Sequence, residues 1–240
     1  MSVTAAPVTP TTLVRYAGLA AAAAGLLFIA VQIGHPVVDL GLVTTTQWSV
    51  RQSVKIVMAV LSLVGITGIY ACQVRRMRII GLLGYLLFAA GYLVMFATEV
   101  IGLVVVPSIA GTSPGYASEV LAAATCGAVH GAIGLMSVLA ALGGAGFIGG
   151  GLVFGIGVVR AGVLARWAGW LLIAGTVATA TIPLLPQVNQ RLFAIPPSIA
   201  LIGLGWSVWR TVGGTSVRAE PALGMDAGAW IRPRESVIDS

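Results

Sequence analysis

Residues 54–72 (VKIVMAVLSLVGITGIYAC), 73–78 (QVRRMR) and 79–106 (IIGLLGYLLFAAGYLVMFATEVIGLVVV) decide the fold. The first and last runs are apolar over about 20 residues or more, enough to cross a hydrocarbon core of about 30 Å as helices. Between them Arg75, Arg76 and Arg78 crowd into six residues. Guanidinium groups are costly in hydrocarbon, so the chain must turn back where water and headgroups begin. The stretch predicts a membrane-spanning helical hairpin with a basic turn.

Working outward, four further apolar runs carry the same signature. Residues 13–34 form the first, ended by Gly34-His35-Pro36, because proline disfavours helical geometry in the residue before it. No small-residue cleavage site precedes the polar segment, so an uncleaved span is expected. The hairpin supplies the second and third spans, the third stopped by Pro107. Residues 116–159 carry no turn signal, yet about 44 helical residues would reach about 66 Å. A tilted or broken helix is expected there, with the break near the Gly143–Gly151 cluster; two separate spans are the competing parse. Residues 163–182, closed by Pro183 and Pro186, and residues 192–209, opening near Pro196-Pro197, complete six.

Residues 1–12 and 211–240 are rich in proline, glycine and polar residues and are expected to be disordered, flanking a transmembrane domain over 13–210. The fold class expected is all-α: a polytopic six-helix membrane bundle.

Composition agrees. Charged residues make up 8% of the chain against 58% hydrophobic, and the mean hydropathy is +1.01. A soluble domain carries about 25% charged residues to cover its surface, so lipid must be the solvent here. Twelve of the thirteen basic residues are Arg, and Ala and Gly abound, usage that fits a bacterial inner membrane. The net charge of +6 calls for no nucleic acid, since basic helix ends meet anionic headgroups. Cys72 and Cys126 fall towards opposite faces and read as packing residues rather than a disulfide.

The six-span parse with an inside N-terminus puts Arg15, Arg75, Arg76, Arg78, Arg160, Arg166, Arg210, Arg218, Arg232 and Arg234 on the cytoplasmic side. That is ten of the thirteen basic residues. Lys/Arg bias sets orientation, so both termini are expected in the cytoplasm. Arg15, Arg78 and Arg166 each stand three residues before a glycine (Gly18, Gly81, Gly169) at the start of an outward-going span. A threefold hairpin duplication would give this echo; so would the ordinary pairing of a snorkelling Arg with a small packing residue.

On that topology the chemistry gathers at the outer end: Gln32, His35, Asp39, Arg51, Lys55, Glu99, Glu119, His130, Gln187, Asn189 and Arg191. Glu99 sits two turns below Pro107 in an apolar stretch, where a carboxylate needs a partner, a proton or water. Lys55 lies at similar depth and Arg51 shares its face at i,i+4, so these three with Gln32 are the pocket and ion-pair candidates. A structural Glu99–Lys55 pair, or snorkelling of both to the outer headgroups, is the plainer account of them. His35 and His130, with Glu119 and Asp39, are the residue types that hold zinc or iron, and two histidines can ligate one haem. No local ligand spacing supports that set, and no cofactor is expected from motifs.

Gly127-x-x-x-Gly131 and Gly151-x-x-x-Gly155 are spaced for close helix contact, pointing to a central fourth span or to a homo-oligomer or membrane-protein partner through it.

The starts Arg15-Tyr-Ala-Gly and Arg166-Trp-Ala-Gly-Trp-Leu-Leu and the close Leu204-Gly-Trp-Ser-Val-Trp-Arg210 resemble those of small six-span bacterial integral membrane proteins of unassigned function. The resemblance implies architecture over residues 13–210 and carries over no catalytic residue. A non-enzymatic, transporter-like or accessory protein with an outward polar pocket is the expectation. A metal- or haem-dependent membrane enzyme and a structural subunit are the alternatives.

Overall fold

The computed structural model describes residues 9–125, 127–184 and 191–217, and among these every regular element is helical. Helix α1 spans Pro10–Gln32, α2 Leu40–Val43, α3 Thr46–Ile109, α4 Pro114–Ala124, α5 Leu135–Ala161 and α6 Arg166–Ala178. Two 3-10 turns, Thr179–Leu184 and Arg191–Ala194, precede α7, Ile195–Val217. Four helices are long and apolar enough to cross a membrane: Pro10–Gln32, Thr46–Ile109, Leu135–Ala161 and Arg191–Gly213. Leu26, Val57, Leu83, Leu93, Val104 and Leu142 are exposed on their flanks, which suits lipid contact.

Helix α3 is not one rod. Gln73 (φ −133°, ψ 19°) and Arg78 (φ 52°, ψ −154°) leave helical geometry, and the chain folds back between them. The two arms run antiparallel. Tyr70 stacks on Tyr85 with centroids 4.9 Å apart, Thr67 Oγ1 lies 3.0 Å from the Tyr85 hydroxyl, and Trp48 Nε1 donates to the Gly102 carbonyl at 2.8 Å.

Small residues set how the other helices dock. A Cβ on Gly146 would fall 2.9 Å from the Gly91 backbone, and one on Gly18 2.8 Å from the Gly205 carbonyl. Backbones therefore touch between the second arm and α5, and between α1 and α7. Contacts of Gly65 with Ala21 and of Gly68 with Ala17 lay α1 antiparallel to the first arm. Gly84 against Phe154, and Gly157 against Gly81, do the same for α5 and the second arm. Gly151 meets Thr176 and Gly155 meets Ile173, joining α5 to α6. The echo glycines Gly18, Gly81 and Gly169 are all buried at such contacts. Followed through, these pairings bring Arg15, Arg75, Arg76, Arg78, Arg160, Arg166 and Arg210 to one end of the bundle. Arg15 stacks there, its guanidinium carbon 3.7 Å from the Trp209 ring centroid.

Several boundaries differ from expectation. The break in residues 116–159 falls after α4, not at the Gly143–Gly151 cluster. The Thr125 hydroxyl bonds back to the Leu121 carbonyl, and Gly134 adopts a positive φ of 57°. A residue with a Cβ pays for that conformation, so the glycine ends one helix direction and starts another. The clustered glycines of α5 stay helical, and four of them, Gly143, Gly146, Gly150 and Gly151, admit close neighbours from other helices. Gly127 and Gly131 lie outside any helix and are exposed, so they are not a packing motif. Helix α4 is 11 residues, too short for a separate span. Pro107 does not stop its helix. It lies two residues before the end, where the lost N–H bond belongs to a fraying last turn. Helix α1 starts at Pro10 and α7 continues to Val217, into segments expected to be disordered. Cys126, Gln187, Asn189 and the tail arginines lie outside the described residues, as does most of each terminal segment.

Candidate functional site

The register of the α3 hairpin builds the site. Trp48, Gln52 and Lys55 recur at helical spacing on the first arm, and Met95, Thr98, Glu99, Gly102 and Val106 on the second; all of them line one cavity of about 390 Å³. Phe147 and neighbouring residues of α5 form a further wall, Val120 and Leu121 of α4 cover it, and Gln32, His35 and Arg191 stand at its polar side. A volume of this size, largely apolar with a few convergent polar groups, is typical of small-molecule sites.

Lys55 Nζ lies 3.4 Å from Glu99 Oε2, with the side chains 20% and 16% exposed. Each offsets the other's desolvation, which lets two charges sit among apolar helices. Gln52 is 3% exposed and, among the described residues, its amide oxygen has no hydrogen-bond partner. Buried polar atoms are nearly always paired, so this acceptor marks a place where a donor is missing.

Arg51 does not join the ion pair. Its guanidinium donates to the Val31 carbonyl at 3.0 Å and the Gly34 carbonyl at 2.8 Å. Arg191, 155 residues further along the chain from Pro36, donates to the carbonyls of His35 and of Pro36, the latter at 2.7 Å. A helix end leaves carbonyls without intrahelical donors, and cations favour that pole. Two arginines thus tie down the end of α1 and its connector. Nothing local in the sequence announces this clamp: the i,i+4 spacing suggests Arg51 beside Lys55 at the pocket, and Lys55 lines the cavity while Arg51 turns to the end of α1.

His35 Nδ1 lies 2.9 Å from the Pro36 carbonyl oxygen. Its pKa is lowered from 6.5 to about 4. Burial is the leading cause; the Pro36 bond works the other way, and Lys55, Arg191 and Arg51 add repulsion. The imidazole is therefore neutral near pH 7.

The other metal candidates serve local structure. Asp39 Oδ1 caps α2, accepting from Leu42 N at 2.8 Å. Glu119 Oε2 accepts from His130 N at 2.8 Å, and the backbone bonds from His130 and Gly131 hold its carboxyl below the usual range. That clip holds His130 and Gly131 against α4. Among the described residues, no three His, Cys, Asp or Glu side chains come together as a ligand set.

No family model, curated protein or solved structure matches the chain.

Proposed function

We propose that the chain is a six-span membrane protein that takes a hydrophobic solute carrying a polar group into the cavity at its outer end. It would work as a small transporter-like or accessory protein of a bacterial inner membrane. The observation that carries this reading is the cavity itself. Its lining is largely apolar, Gln32, His35, Lys55, Glu99 and Arg191 are among its few polar groups, and a buried Gln52 acceptor has no partner among the described residues.

The six-span count is supported by the antiparallel hairpin within α3 and by α6 with its 3-10 extension, which together reach about 30 Å. Gathering of arginines at one end supports an inside N-terminus and C-terminus. The opposite end, where the cavity lies, then faces outward. A structural-subunit reading needs the Lys55–Glu99 pair sealed in a closed interface, and both residues instead line the cavity.

A saturable hydrophobic fluorophore, 1-N-phenylnaphthylamine, tests the pocket in detergent-purified protein. Gly144 lines the cavity, and a Cβ there meets nothing within 4 Å, so Gly144→Phe starts in open space and is expected to place its ring against the cavity. Saturable binding by the native chain that disappears in this variant is the expected result. Non-saturable binding, or binding indifferent to the filled cavity, overturns the reading. A reporter fused after Arg210 tests topology, and a periplasmic signal there would reverse the orientation.

A further inference from the structure

We propose that the cleft at the turn of the α3 hairpin binds the headgroup of an anionic phospholipid, a phosphodiester bearing a free hydroxyl. The site lies at the opposite end from the cavity and is independent of what that cavity holds. The cleft, about 460 Å³, is lined by Ala71, Cys72, Gln73, Arg75, Arg76 and Val163, with Val74 between them.

Gln73 is the first observation. Its side chain is 3% exposed, yet among the described residues neither the amide nitrogen nor the amide oxygen has a hydrogen-bond partner. A buried primary amide wants an acceptor for its N–H groups and a donor for its oxygen. A phosphate oxygen supplies the first and a headgroup hydroxyl the second. Phosphatidylglycerol carries both within one headgroup.

Charge is the second observation. Arg75 and Arg76 are exposed beside the cleft and have no carboxylate partner among the described residues. The described acidic residues, Asp39, Glu99 and Glu119, all lie towards the other end of the bundle. Arginine pairs bind phosphate oxygens bidentately, which fixes geometry as well as charge. Basic pockets between helices at a membrane surface are where such headgroups are held.

Position is the third. Trp167 and Trp170 are largely exposed at 57% and 60%, and Trp209 lies under Arg15 at this same end. Tryptophan favours the headgroup level, so the turn sits where phospholipid phosphates are. Arg78 holds a positive φ of 52°, unusual for a side chain with a Cβ, and Arg75 and Arg76 lie in the reversal between it and Gln73.

The test is thermal unfolding of the full chain in neutral detergent, titrated with phosphatidylglycerol, with phosphatidylcholine, or with inorganic phosphate. Phosphatidylglycerol is expected to raise the midpoint saturably, and the other two are not. Arg75→Gln with Arg76→Gln should weaken the lipid's apparent affinity about tenfold or more. Arg160→Gln with Arg210→Gln, which removes equal charge outside the cleft, should leave it nearly intact. Gln73→Leu separates a site from a packing defect. It should raise the lipid-free midpoint, by removing an unpaired amide, and yet shrink the lipid-induced rise.

Equal shifts with phosphatidylcholine, or equal losses in the two arginine doubles, would show diffuse attraction and overturn the proposal. So would a Gln73→Leu chain that keeps the full lipid response, or a shift with phosphate alone. A lipid response that appears only after Glu220, Asp226, Glu235 and Asp239 are neutralised would assign the cleft to the chain's own acidic tail instead. If the double glutamine variant does not fold, Arg75→Lys with Arg76→Lys keeps the charge and removes the bidentate geometry. Undiminished affinity there counts against the site.

Discussion

Lys55 and Glu99 meet across the α3 hairpin, Nζ 3.4 Å from Oε2, although 44 residues separate them in sequence. Each comes from an apolar arm and each lines the cavity. Removing one partner leaves the other charge uncompensated among apolar neighbours. Lys55→Met is expected to destabilise the protein by about 2 kcal/mol, and the double variant Lys55→Met with Glu99→Leu by clearly less. A double-mutant cycle on chemical unfolding in detergent measures the coupling. Additive losses would show that the two charges do not depend on each other.

Trp48 links the arms farther from the basic turn. Its indole N–H is buried and donates to the Gly102 carbonyl at 2.8 Å. Trp48→Phe keeps an aromatic ring but drops that donor and some volume. A loss of about 1–3 kcal/mol is expected, read as a lower unfolding midpoint. An unchanged midpoint would mean the bond contributes nothing net.

Gly146 and Gly149 sit three residues apart on α5 and differ in what surrounds them. A Cβ at Gly146 falls 2.9 Å from Gly91, while one at Gly149 meets nothing within 4 Å. Gly146→Ala should cost about 1–3 kcal/mol through overpacking. Gly149→Ala should be neutral or stabilising by up to about 1 kcal/mol, because alanine is the better helix former. Comparable midpoints for the two variants would contradict the backbone contact.

His35 gives acid sensitivity of a defined sign. Its pKa is lowered from 6.5 to about 4, so between those values the unfolded chain binds more protons than the folded one. Stability from the neutral imidazole is complete above about 6.5, falls as the pH drops, and is gone below about 4. The His35→Gln chain should show a shallower decline of the unfolding midpoint across that window. Parallel pH profiles for the two chains would remove His35 as the cause.

Arg191 fastens the connector after α1. Arg191→Gln should free the His35 and Pro36 carbonyls and speed amide exchange in residues 33–45, with little change in the arginine end. Hydrogen exchange resolved by peptide would show it, and uniform protection in native and variant chains would argue against the clamp.

How much of this was legible can be judged residue by residue. The Arg75–Arg78 turn was readable because charge cannot remain in hydrocarbon, and the structure places a reversal there. Helices were readable because apolar runs of this length have few other ways to satisfy their backbone. The expected break at Gly143–Gly151 failed because glycine is ambiguous in a single sequence. It can end a helix, as Gly134 does with its positive φ, or admit a neighbouring backbone, as Gly146 does. Only the neighbour distinguishes the two.

The sequence by itself determined a helical chain, apolar enough for lipid, with a basic turn between two of its apolar runs. These follow from composition and local period, which need no knowledge of partners in space. The tertiary structure alone decided that Lys55 meets Glu99, that Arg51 and Arg191 hold the end of α1, and that the Gln52 amide oxygen and the Gln73 amide lack partners among the described residues. Those depend on the register of one helix against another. Register is set by which small residues let backbones touch, and that is a property of pairs of helices rather than of either one.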